Sequence, residues 1–225
     1  MDQPPADDEP SANEPLFRAP MVVLFVCAVL LGAHAALSYG PVRYERAIAD
    51  YALTGQAMAE RRWIPLFSYL FLHGSWTHVA LNTAFCLAFG TAPARLFGRD
   101  LRGAAVFIGF FLACGAIAGL LYAAIQPDRS WAAIGASGAV SGLMGATARM
   151  LNPGGRLGPP WGRGFFSMAV SWVLLNALVG LTGFGTGLGP GVPVAWQAHI
   201  FGFAVGAGMI DLFWGLAGRR DPITQ

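Results

Sequence analysis

Six long apolar stretches dominate the chain, and most of the arginines lie in the segments between them. A bilayer core about 30 Å thick needs about 20 apolar residues per helix. By this measure the predicted membrane spans are 20–39, 77–97, 103–125, 132–151, 165–183 and 195–217. The second, fourth and sixth spans contain polar residues and many glycines. Small residues let membrane helices pack closely, so these three are predicted to be the inner helices of the bundle.

The composition agrees with lipid as the main solvent. The chain is 55% hydrophobic and only 12% charged, whereas soluble domains have about 25% charged residues. The basic residues are spread between the apolar stretches and form no patch, so no nucleic-acid partner is predicted. Cys27, Cys86 and Cys114 each lie inside an apolar run without metal-ligand spacing. The sequence therefore predicts neither a metal nor a cofactor.

Three regions follow from this pattern. Residues 1–18 are rich in proline and acidic residues and are expected to be a disordered cytoplasmic tail. Residues 19–218 form the membrane domain, and 219–225 are a short cytoplasmic tail. Nine of the 14 arginines fall on one side of the predicted bundle. Because arginine marks the cytoplasmic side, both termini are expected there.

Residues 40–76, between the first two spans, do not have the character of an ordinary polar loop. Ile48, Tyr51 and Ala52 recur at helical spacing. The segment is also rich in aromatic residues, namely Trp63, Phe67, Tyr69, Phe71 and Trp76. Amphipathic and aromatic stretches favour the membrane interface. We therefore expect this segment to lie partly in the outer leaflet beside the bundle.

Polar residues at membrane depth are costly and are candidates for function. His78 and Asn82 are four residues apart at the start of the second span, so they share a helix face, and His73 precedes them. Such residues can also serve only to hydrogen-bond neighbouring helices. Three of them at this spacing favour a functional site.

Ser137 lies between small residues at the start of the fourth span, with Gly135 and Gly138 on either side. A helix N-terminus there would favour a developing negative charge. The alternative is a packing face, because Gly138 and Gly142 are four residues apart.

His199 begins a stripe in the sixth span that continues with Gly202 and Gly206. Taken alone, the histidine could be structural. Together with Ser137 it is better explained as one half of a Ser–His pair. His34, Asn176 and Asp211 are assigned no chemistry. Asp211 is expected to reach water or an arginine, and Asn176 to form an interhelical hydrogen bond or to line a substrate path.

These motifs, His73-x4-His78-x3-Asn82, Gly135-x-Ser137-Gly138 and an Ala-His-x2-Gly-x3-Gly run from 198 to 206, resemble those of the rhomboid family of intramembrane serine proteases. The resemblance implies an all-α polytopic fold of six transmembrane helices with a membrane-associated loop between the first two. It also implies that both termini are cytoplasmic.

The resemblance further implies a catalytic dyad, with Ser137 as nucleophile and His199 as general base. His78, Asn82 and the backbone N–H of Ser137 would stabilise the oxyanion, and His73 would be structural. The glycines that would let the inner helices converge on the site are Gly135, Gly138, Gly202 and Gly206. Many members have a tyrosine four residues after the serine, where this chain has Ser141. What orients His199 is therefore left open.

The expected substrates are transmembrane segments of other proteins, entering laterally past the fifth span and the loop 183–197, which is a candidate cap. The expected location is a bacterial inner membrane. Neither the physiological substrate nor the oligomeric state follows from the sequence. The alternatives are a non-catalytic rhomboid-like protein that binds or escorts membrane clients, and a transporter. A transporter would be expected to contain inverted repeats, and no clear repeat is apparent between the two halves of the sequence.

Overall fold

A computed structural model of the chain describes residues 19–42, 44–126, 131–151, 157–182 and 194–218. Both predicted tails and residues 183–193 of the candidate cap lie outside these ranges. In chain order the elements are α1 (Met21–Tyr39), α2 (Tyr44–Tyr51), β1 (Leu53–Thr54), α3 (Gly55–Ala59), α4 (Pro65–Ser68), a 3-10 turn (Tyr69–Phe71), α5 (Trp76–Phe97), α6 (Leu101–Ile125), β2 (Ala132–Ala133), α7 (Ser137–Ala148), α8 (Arg163–Thr182) and α9 (Trp196–Leu216).

The chain is a helical, multi-pass membrane protein. Four described helices are long and apolar enough to cross a bilayer, namely α1, α6, α8 over Arg163–Gly180, and α9. The predicted second span corresponds to α5, which has 22 residues and includes several polar ones. The predicted fourth span corresponds to α7, which has only 12 residues and is about 18 Å long. Crossing by α5 and α7 therefore stays a prediction.

The predicted bounds of the fourth span, 132–151, were wrong. Its N-terminal part is not helical, because Ala132–Ala133 pairs as an antiparallel strand with Leu53–Thr54. Gly135 then adopts a φ of +110°, which ends the extended segment and directs the chain into α7. This strand pair joins residues 40–76, the predicted interfacial segment, to the start of α7.

α7 and α9 pack with their backbones in close contact. A Cβ atom added to Gly202 would overlap the carbonyl oxygen of Gly138, and one added to Gly206 would overlap that of Gly142. Van der Waals packing is a main source of helix association in lipid, where the hydrophobic effect between helices is weak. We call this contact the glycine seam. This close contact agrees with the prediction that α7 and α9 are inner helices.

An ion pair joins α9 to Arg149, the residue that follows the C-terminal end of α7. The glycine seam starts at the other end of α7. The buried guanidinium of Arg149 donates to the Asp211 carboxylate at 2.9 Å and to the carbonyl of Ala207 at 2.8 Å. It also donates to the carbonyl of Gly158. The expectation that Asp211 reaches an arginine is confirmed.

The interfacial segment packs on the helices through its buried side. Leu53, Tyr69 and Leu70 are in the main core, and the Tyr69 hydroxyl donates to the carbonyl of Gly115 at 2.8 Å. Trp63 is exposed on the other side of the interfacial segment. An element with one side fixed to the bundle and an aromatic residue facing outward suits the membrane interface.

Candidate active site

The start of α5 presents two polar side chains on one face. The Ser75 hydroxyl caps the helix by accepting the N–H of His78 at 3.1 Å. Asn82, one turn later, donates from Nδ2 to the carbonyl of His78 at 3.1 Å. The N–H of Gly74 donates to Nδ1 of His78 at 3.5 Å. This long bond favours the tautomer in which Nε2 of His78 carries the proton and is a donor.

Ser137 is the first residue of α7. The N–H groups in the first turn of a helix have no partner within the helix, and its dipole is positive there. Gly135, two residues earlier, donates its N–H to the carbonyl of Tyr69 at 2.9 Å. A Cβ on Gly135 would lie 2.7 Å from Nε2 of His78. The His78 tip therefore lies beside the turn that leads into Ser137.

The structure brings His199, in the first turn of α9, directly against Ser137. Nε2 of His199 is 2.8 Å from Oγ of Ser137, although the two residues are 62 positions apart in the chain. The glycine seam runs from this pair along both helices and allows the close approach. Ser137 and His199 are both partly buried, so the pair is not sealed inside the protein.

Asn176 of α8 contacts the other nitrogen of the same imidazole. Its Oδ1 lies 2.7 Å from Nδ1 of His199, and the indole of Trp172 lies beside the ring with centroids 6.2 Å apart. Ser141, at the position of the frequent tyrosine, instead donates its hydroxyl to the carbonyl of Ser137 at 2.7 Å. Asn176 is thus the hydrogen-bonding partner of His199 that sequence analysis did not find.

The interhelical hydrogen bond expected for Asn176 is present, but nothing in the sequence pointed to its partner. The only available signal was an asparagine within an apolar helix, and that signal fits many structural roles. Asn176 and His199 are on different helices, so the fold brings their side chains together and no short sequence spacing predicts the contact.

A cavity of about 710 Å³ opens onto these groups between α5, α7, α8 and α9. Its polar lining consists of His78, Asn82, Ser137, Ser141, Asn176 and His199, and its remaining walls are mostly apolar. Few polar groups converging on an apolar cavity are typical of a binding or active site. Within the described ranges, no group of His, Cys, Asp and Glu is arranged to hold a metal ion.

His73 lies behind His78 and outside the cavity lining. Its fully buried ring contacts those of His78 and His34, with centroids 5.0 Å and 6.3 Å away. Burial and, to a smaller extent, the charge of a protonated His78 together lower the pKa of His73 to about 3. The nearby Phe71 carbonyl acts in the opposite direction. His73 is therefore neutral at ordinary pH and supports the ring of His78 by packing.

The fold and the site together define a multi-pass helical membrane protein with a serine and a histidine in contact inside a cavity. The family model of the rhomboid domain matches residues 60–215, which is more than half of the chain. The chain therefore belongs to the rhomboid family, whose members are mostly intramembrane serine proteases and include inactive ones. None of the curated proteins compared with this chain matches it.

Proposed function

We propose that the protein is an intramembrane serine endopeptidase that cleaves transmembrane segments of other membrane proteins. The observation that carries this proposal is the 2.8 Å contact between Nε2 of His199 and Oγ of Ser137 inside the cavity. A serine hydroxyl is a weak nucleophile until a base removes its proton, and a neutral imidazole is suited to that task. Membership of the rhomboid family supports the same reaction class.

In the first step Oγ of Ser137 attacks the carbonyl carbon of the scissile peptide bond, and Nε2 of His199 takes the hydroxyl proton. The oxyanion that forms accepts hydrogen bonds from the N–H of Ser137, from His78 and from Asn82. The C–N bond then breaks, and His199 returns the proton to the leaving amine. Loss of one oxyanion donor costs roughly 10²–10³ in turnover.

In the second step a water molecule attacks the ester on Ser137, again with His199 as the base. The ester C–O bond breaks, Ser137 recovers its proton, and the new carboxylic acid leaves. Water must therefore reach the dyad from outside the membrane, which fits a site at the N-terminal end of α7 with partial exposure of both side chains.

The apolar walls of the cavity suggest where a substrate helix lies. Leu81 and Phe85 of α5 face Leu175 and Val179 of α8 across it. A transmembrane segment entering between these helices would meet apolar side chains before it reaches Ser137. A helical peptide bond is inaccessible until the helix unwinds, so helix-breaking residues in the substrate favour cleavage.

The proposed setting is a bacterial inner membrane with six crossings and both termini in the cytoplasm. α5 and α7 count as crossings in this proposal although neither is a long, uniformly apolar helix. α7 is almost wholly buried among other helices, and a helix that touches little lipid does not need the apolar length of one that faces it. The domain bounds 1–18, 19–218 and 219–225 belong to the same proposal.

The test is cleavage of a model single-span substrate by the purified protein in proteoliposomes. We expect wild type to cleave, and Ser137→Ala and His199→Ala each to lose at least about 10³-fold in turnover. Ser171→Ala is the matched control, because Ser171 is an exposed serine of α8 outside the cavity lining. A serine-reactive phosphonate should label Ser137, and mass spectrometry of the labelled peptide distinguishes it from Ser141 one turn later.

An inert wild type that the phosphonate does not label would refute the protease assignment. A non-catalytic role in binding or escorting membrane clients would then be the leading hypothesis for this rhomboid-family chain.

A further inference from the structure

Asn176 is a buried polar side chain whose hydrogen bonds run in two directions. It is 3% exposed, in a helix that otherwise shows most of its surface to the outside. Nδ2 donates to the carbonyl of Trp172, one turn earlier in α8, at 2.8 Å. Oδ1 lies 2.7 Å from Nδ1 of His199 in α9.

These contacts determine the tautomer of His199 by a chain of donors and acceptors. The Trp172 carbonyl can only accept, so the amide nitrogen of Asn176 must face it, and Oδ1 must face His199. Oδ1 in turn can only accept, so Nδ1 of His199 carries the proton in the neutral ring. Nε2 then presents its lone pair to the Ser137 hydroxyl 2.8 Å away. A general base at that position requires this tautomer.

We propose that Asn176 is a positioning residue for the dyad: it holds His199 in the Nδ1–H tautomer and fixes the plane of its ring. The proposal rests on the proposed function, because a base matters only if Ser137 is a nucleophile. Asn176 itself touches neither the hydroxyl nor the reacting carbonyl. It takes the place in the hydrogen-bond chain that a carboxylate or an amide takes behind the histidine in other serine and cysteine proteases.

One consequence concerns α8. Since Asn176 is on α8 and His199 on α9, the base is correctly oriented only while α8 occupies its observed position. α8 also forms one wall of the cavity through Leu175 and Val179. A substrate helix that displaces α8 must let it return before the chemical step.

The first test measures kinetics for two variants. Asn176→Leu removes the acceptor and keeps the branched shape of the side chain, and we expect kcat to fall about 10–100-fold, as when groups that orient a histidine are lost, with KM little changed. Asn176→Asp places an anion beside the ring, which favours the imidazolium. We therefore expect the acidic limb of the pH–kcat/KM profile to move to higher pH by about one unit or more.

The matched control is Thr182→Val. Thr182 also bonds back to a carbonyl one turn earlier in α8, that of Leu178, but from an exposed position away from the cavity lining. A purely structural role for Asn176 predicts that Asn176→Leu lowers thermal stability while kcat per folded molecule and the pH limb stay as in wild type. That result would overturn the proposal.

The second test does not require activity. The chain has four histidines, so ¹⁵N labelling of histidine alone gives few ring signals, and His199→Gln assigns the relevant pair. We expect a protonated Nδ1 and an unprotonated Nε2 for His199 in wild type and in Thr182→Val, and a tautomer mixture in Asn176→Leu. A mixture already present in wild type would overturn the inference. An inert wild type with the expected tautomer would instead overturn only the proposed function.

Discussion

α9 and α8 each supply one side chain to the Ser137 site, but they are held in place in different ways. α9 contacts α7 backbone to backbone along the glycine seam. In the apolar stretch of α9, 33% of the residues are buried inside the protein, against 6% in the apolar stretch of α8. α8 relies on side-chain contacts such as those of Trp172 with Phe85 and His199. The helix that carries the proposed base is therefore rigidly placed, and the helix that orients it is the more easily displaced.

The largest effect is expected from Gly206→Ala, which would break the seam. The new methyl group would overlap the backbone carbonyl of Gly142, which cannot turn away as a side chain could. Overpacking of this kind costs about 3 kcal/mol of unfolding free energy. The resulting shift of His199 from Ser137, even by about 1 Å, should lower turnover about 10²-fold. Denaturation in detergent and the cleavage assay measure both changes.

Gly208→Ala is the matched control on the same helix. A Cβ at Gly208 would have no atom within 4 Å, and alanine is the better helix former by about 1 kcal/mol. We expect unchanged or slightly higher stability and normal cleavage. Equal losses in the two variants would mean that the seam is not what holds α9.

A decrease in pH is expected to lower stability by an intermediate amount. The size of this decrease tests whether the interfacial segment is packed as firmly as α9. Burial lowers the pKa of His73 to about 3 from an ordinary value of 6.5. Below pH 6.5 the unfolded chain binds a proton that the folded protein does not, so stability is lost as the pH falls. The slope is at most about 1.4 kcal/mol per pH unit, or about 2 kcal/mol between pH 6.5 and 5.

His73→Phe should flatten that dependence, and denaturation of both proteins at a series of pH values isolates the contribution of His73. The same slope in wild type and variant would show that water reaches the ring. The segment would then resemble α8 more than α9 in its packing.

The smallest change in stability is expected from Gly180→Ala, the same chemical change made in α8. The new methyl group would lie 2.6 Å from Cδ1 of Trp196. Because α8 has few buried contacts, it can move outward, and we expect the unfolding free energy to fall by less than about 1 kcal/mol. Asn176 is one turn away, so cleavage should fall several-fold while stability hardly changes. A stability loss as large as that of Gly206→Ala would remove the distinction between the two helices.

Much of the site could be predicted because the motifs record local requirements. The spacing of His78 and Asn82 is one helical turn, and the stripe of His199 with Gly202 and Gly206 is one helix face. Both constraints act within a single element, so they are visible in the order of residues. The long apolar runs were visible for the same reason, since their length is matched to the thickness of a bilayer.

The errors arose where an element depends on its neighbours. α7 begins at Ser137 and not at 132, because Ala132–Ala133 finds a strand partner in Leu53–Thr54. Apolar composition cannot show that pairing, since the partner lies about 80 positions earlier in the chain and neither strand exceeds two residues.

The sequence by itself determined the membrane class, the apolar helices and four of the polar residues that converge on the cavity, namely His78, Asn82, Ser137 and His199. Only the tertiary structure decided that Nε2 of His199 faces Ser137 while Nδ1 faces Asn176. The physical reason is that the direction of a side chain across helices depends on the rotation and distance of whole elements. Those are set by the packing of α7, α8 and α9 against one another, and no local spacing specifies them.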